Sequence, residues 1–424
     1  MGPARAPYGA RFASAGRESF RLVPGSHCPI PRGADRPFTA GNIGDRVDRI
    51  TGSALAFYYA QMAIAHTDPS GSPDTSSAIC VVIPARNEET LIGRCVASVL
   101  AAGLERAHVY AIDDESTDRT GEILHSFPGV NVLRNEPRRG KAGSLRHAIE
   151  HFGLAERYAF VAILDADSQV AEGYFDAVQK AFTDDPQAVL VCGSPRGQAY
   201  NYLTAFRTLE YALCLFMYRK GQDRVGVINV APGCASVYRT SILSSLDWDN
   251  GTLVEDMDLT VQIHRKRLGR IRFATDAVVY TQDPRRLREY VGQLTRWHCG
   301  TWQVLRLHRL PFGRQRLDAE IALLTGEGLA YSLLVLAIPV LAWLHPLATL
   351  RWLLLDQLVL AFAAVVCASR LRRLDVLLWF PTFAPLRVLG CIVFLHTFWL
   401  EIVRRQTLRT WFSVARYDTG RSLA

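Results

Sequence analysis

A chain of 424 residues in which 49% are hydrophobic and 21% charged is neither wholly disordered nor a small cross-linked scaffold; it has room for one large domain plus extra elements. A formal net charge of +8 points to anionic partners such as nucleotides or lipid headgroups, and the lack of basic runs interleaved with aromatics argues against nucleic acid. Nine cysteines, odd in number and without C-x-x-C spacing, support neither a disulfide framework nor a zinc site and fit a reducing compartment.

Residues 1–49 mix Arg, Pro and Gly with no apolar core, so they read as a disordered basic tail without a signal peptide. Residues 50–77 hold a short apolar helix and a linker. The apolar part, Thr51–Ala65, falls short of the roughly 20 residues that span a bilayer and is expected to pack or to lie at an interface. From Ala78 onward, apolar runs alternate with helical segments. Strands are expected at 78–84, 108–113, 130–135 and 158–167, and helices at 88–102, 117–126, 141–152 and 173–183. This alternation predicts an α/β domain over 78–315, with a mostly parallel sheet covered by helices and ligands beyond the carboxyl ends of the strands.

Residues 316–403 change character. Ile321–Trp343 and Trp352–Ala368 are long and apolar enough to cross a membrane. Arg314 and Arg316 precede the first, and Arg370, Arg372 and Arg373 follow the second, which places both flanks, and the domain before them, in the cytoplasm. A third apolar segment, Val376–Leu400, precedes Arg404, Arg405 and Arg409 of a cytoplasmic tail over 404–424. A third crossing would carry those arginines outside, so a re-entrant or interfacial hairpin is the expectation.

Four polar clusters carry chemistry. Asp113-Asp114-Glu115-Ser116-Thr117-Asp118 follows an apolar strand, where crowded carboxylates call for cations or hydroxyls, although a helix N-cap needs the same residues. Asp165-Ala166-Asp167 closes another strand, and two carboxylates at that spacing can share a divalent cation that bridges to phosphate. Glu255-Asp256-Met257-Asp258 opens an amphipathic helix, either to complement its dipole or to present a general base. Gln293, Arg296 and Trp297 share one helical face, offering a guanidinium for a diphosphate and an indole for a sugar ring; a snorkelling Arg beside a core Trp is the structural alternative. A basic turn, Arg138–Gly143, enters a helix and could meet phosphate there.

In order, IPARNEE, DDESTD, RGKAGSL, DAD, PGCASVYR, EDMDL and QLTRW resemble the family 2 glycosyltransferases, and among them the membrane-embedded synthases of cellulose, chitin, hyaluronan and poly-N-acetylglucosamine. The resemblance covers about residues 78–310 and implies a GT-A fold, a UDP-sugar donor, Mg or Mn, and an inverting transfer to a polysaccharide or glycolipid acceptor at the membrane. It implies donor contacts from Pro84, Arg86, Asn87, Glu88, Asp113, Lys141, Asp165 and Gly233. It implies a metal pair in Asp165 and Asp167, and catalytic roles for Asp256, as general base, and Arg296. The acceptor and diphosphate side falls to Glu255, Gln293, Arg296 and Trp297. An N-terminal span usual in the family has only Thr51–Ala65 in its place, so a second copy or a partner is expected to complete an export path. Three readings stay open at this point: a polymerising synthase, a single-addition transferase acting on a lipid, and a catalytically dead nucleotide-binding scaffold.

Overall fold

The computed structural model describes residues 78–198, 200–249, 251–409 and 415–417. The expectations for the basic tail over 1–49 and the apolar stretch Thr51–Ala65 lie outside the described residues.

The first strand, β1 (Ile79–Ala85), shows why its run of apolar residues is continuous rather than alternating. Ile79, Val81 and Ile83 pack into one core while Cys80 and Val82 pack into another on the opposite face. A strand covered on both sides has no polar face to display. Around it lie β2 (Val109–Asp113), β3 (Asn131–Arg134), β4 (Phe160–Ile163), β5 (Gln169–Val170), β6 (Ala188–Arg196), β7 (Ser236–Arg239) and β8 (Arg270–Tyr280), in the order β3-β2-β1-β4-β7-β6-β8-β5. Pairings from β3 through β4 are parallel, as is β6 with β8. The short β5 and the reversed β7 add antiparallel pairings.

Helices α1 (Ile92–Ala101), α2 (Thr120–His125), α3 (Gly140–His151) and α4 (Tyr174–Asp184) cover the sheet close to their expected positions. Next come α5 (Tyr202–Leu213), α6 (Glu255–Lys266) and α7 (Leu287–Leu307). β4 ends earlier than expected because the chain turns at once, with Ser168 N–H donating to Asp165 O at 2.9 Å.

Past Gln315, α8 (Arg316–Leu344) and α9 (Pro346–Leu371) are long, apolar and poorly covered by protein. The third apolar segment is a succession of helical turns from Leu374 to Val403 built around α10 (Phe383–Phe398), by length and composition also enough to cross a membrane. Arg387 of α10 pairs with Asp356 of α9 at 2.9 Å, so the two charges satisfy each other within the apolar bundle. Glu401 is fully buried and accepts from Gln303 of α7 at 2.7 Å, fastening this apolar bundle to the α/β domain.

Candidate active site

Because β1, β2 and β4 are adjacent and parallel, the residues after them emerge along one edge of the sheet. β6 and β8 run the same way and end on that edge, and the reversed β7 begins there at Ser236, three residues after Gly233. Strand direction alone thus brings together Arg86–Glu88, Asp113, Asp165–Asp167, Gly233 and the residues after Tyr280.

The turns after β1 and β2 lock onto each other. Asn87 sits at φ 54°, its N–H donates to Ser116 Oγ at 3.1 Å, and its Oδ1 accepts from Thr117 N–H at 2.9 Å. Glu88 N–H donates to Thr120 Oγ1 at 2.8 Å. Asp113 is buried at the end of β2, where Oδ1 accepts from Ser116 N–H at 2.9 Å and Oδ2 from Arg134 at 2.6 Å. Its neighbours divide the labour that the sequence left open. Asp118 ties Thr120 at the head of α2, accepting from its hydroxyl at 2.6 Å. Asp114 accepts from Arg139 and Gly140 N–H at 2.8 and 2.9 Å. The amides at the start of α3, expected to meet phosphate, are therefore satisfied by a carboxylate of the protein. Pro84 is half-buried, while Arg86 and Asn87 are exposed at the rim.

Deeper in, Lys141 Nζ bridges Asp165 at 2.6 Å and Glu255 at 2.7 Å. Burial opposes its charge, but the two carboxylates and Asp256 prevail and hold its pKa well above the usual lysine value. Gly233 N–H donates to Asp256 Oδ2 at 3.0 Å, and Met257 N–H to Oδ1 at 2.8 Å. A side chain at position 233 would place Cβ 2.8 Å from Lys141 Nζ, which is why glycine fits. Burial and then the negative charge of Glu255 raise the Asp256 pKa, with Lys141 pulling the other way.

Asp167 and Glu88 are bridged by a residue that sequence reasoning missed. Arg416, far along the tail, reaches Asp167 Oδ2 at 2.6 Å and Glu88 Oε1 at 2.5 Å. Asp167 Oδ1 and Glu88 Oε2 are buried without a hydrogen-bond partner. Burial pushes Glu88 up to about 7 against the pull of Arg416, and raises Asp167 in the same way. Tyr417 follows, its hydroxyl donating to Glu289 of α7 at 2.9 Å. One arginine in a tail of mixed composition gives no sequence signal, and no local pattern links residues 249 positions apart.

Gln293, Arg296 and Trp297 lie on α7 as expected. Gln293 is buried with Oε1 unpartnered, and Arg296 donates to Leu253 O at 3.3 Å, just ahead of the Glu255–Asp256 turn. Trp297 is half-buried, and the guanidinium of Arg207 lies over its ring, 4.7 Å from the centroid.

Residues 80–246 match the family described as Glycosyl transferase family 2. The chain is 26% identical over 242 residues to poly-beta-1,6-N-acetyl-D-glucosamine synthase of Staphylococcus aureus, covering 56% of this chain and 58% of the synthase. It is 29% identical over 239 residues to the probable glycosyltransferase YdaM of Bacillus subtilis, covering 54% and 56%. The chain thus spans less than two thirds of the length of these relatives. Among solved structures, mannosyltransferase PcManGT of Pyrobaculum calidifontis, in complex with GDP-Man and Mn2+, superposes with a TM-score of 0.53 at 19% identity, covering 79% of this chain and 95% of that one. The matched segment, the sheet and this neighbour agree on a family 2 glycosyltransferase domain of GT-A fold over residues 80–246, and the sequence similarity of the chain falls in the polysaccharide-synthase group.

Proposed function

We propose that the protein transfers a sugar, N-acetylglucosamine or glucose, from a UDP-sugar to a growing β-linked polysaccharide at the cytoplasmic face of a membrane, with inversion at the anomeric carbon. One observation carries this reading: at the sheet edge Lys141 bridges Asp165 to Glu255, the residue next to Asp256, whose carboxylate accepts from Gly233 N–H. Similarity to the Staphylococcus synthase supports N-acetylglucosamine, and the QLTRW segment on α7 supports repeated addition over a single transfer to lipid.

The carboxylates suit a hard cation. Their ligand atoms are oxygens, two of them buried and unpartnered, and a guanidinium already stands on Asp167 and Glu88. Among the described residues no three His, Cys, Asp or Glu side chains enclose an ion by themselves. Mg and Mn are commonly held by one or two carboxylates with substrate phosphates completing the shell. Asp165 and Asp167 would hold it, and once bound it would supply neutralising charge for the departing diphosphate.

The chain's own residues do the rest. The Asn87–Glu88 turn and Asp113 border the nucleoside, with Arg86 and Pro84 at the rim. Lys141 and Arg296 supply positive charge beside the diphosphate, Lys141 without crowding from Gly233. Asp256, its carboxylate aimed by two backbone N–H groups and its pKa raised by burial, takes the proton of the acceptor hydroxyl. Gln293 and Trp297 receive the acceptor end. Three apolar helices and the arginines flanking α8 and α9 support membrane anchorage with this domain in the cytoplasm. A second copy or an export partner would complete a passage for the product. Incubating membranes with a panel of labelled nucleotide sugars tests the whole reading: a ladder of long β-linked chains from a UDP-sugar is expected. A single-sugar glycolipid would establish the rival reading, and no transfer from any donor would overturn both.

A further inference from the structure

On α5, Arg207 is a charged residue with 4% of its side chain exposed, set among Leu203, Ala205, Phe206 and Leu209 in an apolar cluster. A guanidinium is rarely placed there without a task, and this one is held by two hydrogen bonds and three aromatic rings, with Nε left without a hydrogen bond. Nη1 donates to Glu210 at 2.8 Å, Nη2 donates to Tyr211 Oη at 3.0 Å, and Nε faces Asp283 Oδ1 at 3.6 Å. The flat of the group lies 4.7 Å from the ring centroids of both Tyr211 and Trp297 and 5.8 Å from that of Tyr290. Space for this arrangement comes from Gly197, where a Cβ would collide with the Asp283 carboxylate. Asn201, which caps α5 with its Oδ1, also donates from Nδ2 to Arg285 O at 2.9 Å, tying α5 to the loop that leads into α7.

We infer that Arg207 is a positioning residue: its guanidinium is the floor against which the Trp297 indole is set, so that it governs how the acceptor sugar is held while leaving the donor site untouched. This rests on the reading of Trp297 as the acceptor platform. An indole at a half-open site needs one face fixed if the remainder is to present a constant surface to a sugar ring. A planar cation does this by cation–π attraction, while Nη1 and Nη2 hold its plane through Glu210 and Tyr211 and Nε faces Asp283. A lysine would keep the charge that balances Glu210 and Asp283 but would not supply the plane.

The test uses the full-length protein in lipid, with UDP-N-acetylglucosamine as donor and a β-linked N-acetylglucosamine tetramer as acceptor. R207K is expected to melt at the wild-type temperature and to bind UDP within twofold of wild type. Its acceptor KM should rise about tenfold and its products should shorten, with kcat little changed. R207Q should show the same acceptor defect, and R207K/W297A should be no worse than W297A alone, because the two residues act as one unit. Wild-type acceptor KM and product length in R207K would overturn the inference. So would equal losses in UDP binding, stability and kcat, or additivity in the double variant, each of which marks Arg207 as a general core residue. Failure of the underlying reading looks different: W297A itself would then leave acceptor use unchanged.

Discussion

Removing Arg416 should make divalent cations bind more tightly. Its guanidinium holds Asp167 at 2.6 Å and Glu88 at 2.5 Å, on the carboxylates proposed for the metal side of the site, so ion and side chain compete. A hydrogen bond to a charged group contributes about 1.5–3 kcal/mol net. The side chain is 26% exposed and its two contacts are not additive, so the lower end of that range applies to the pair. A tenfold change in a binding constant corresponds to about 1.4 kcal/mol, so Arg416→Ala should tighten apparent Mn2+ affinity about tenfold. Titrating purified protein with Mn2+ at saturating UDP, and following the paramagnetic resonance signal of the free ion, measures this without reference to turnover. Unchanged or weakened Mn2+ affinity in the variant would refute the competition, and with it the placement of the cation at Asp167.

Activity should be lost as pH falls through the Asp256 pKa, because a base must be deprotonated to accept a proton, and burial with the Glu255 charge sets that pKa above the ordinary carboxylate value. Glu255→Gln removes the like charge and should move the acid limb of kcat/KM to lower pH; an immobile limb would rule out Asp256 as its source. Excess chelator should stop transfer, and added Mg2+ or Mn2+ should restore it; turnover that persists without divalent ions contradicts the metal assignment. Gly233→Ala, which places Cβ 2.8 Å from Lys141 Nζ, should lower UDP-sugar affinity while leaving thermal stability near wild type, checked by calorimetry on the same preparations.

How much of this could be read from the residues depends on how local each cause is. The first half of the sheet was legible because β1, β2 and β4 are short apolar runs, each followed by a polar turn. β6 and β8 were not singled out: β8 carries Arg270, Arg272 and Asp276, and its pairing with β6 has register shifts that no local pattern announces. Asp165, Asp167, Glu255 and Asp256 stood out as carboxylates at element ends. Arg416, Arg207 and Asp283 did not, since their significance comes from partners 249, 90 and 76 positions away. The re-entrant or interfacial hairpin expected over Val376–Leu400 followed from the arginines after it, which a third crossing would carry outside. The helical run there accommodates Pro381 in a 3-10 segment and Pro385 in the first turn of α10, where no intrahelical donor is lost.

Asp256 is the group proposed to accept the acceptor's proton, and every other assigned role serves that transfer. Labelled transfer from UDP-N-acetylglucosamine by wild type and Asp256→Asn, with UDP binding measured on both, addresses it directly. Transfer should fall by about 10²–10⁴-fold while UDP affinity stays within a few-fold. Undiminished transfer by the Asn variant would contradict the claim and leave the carboxylate chain from Asp165 to Asp256 without its proposed role.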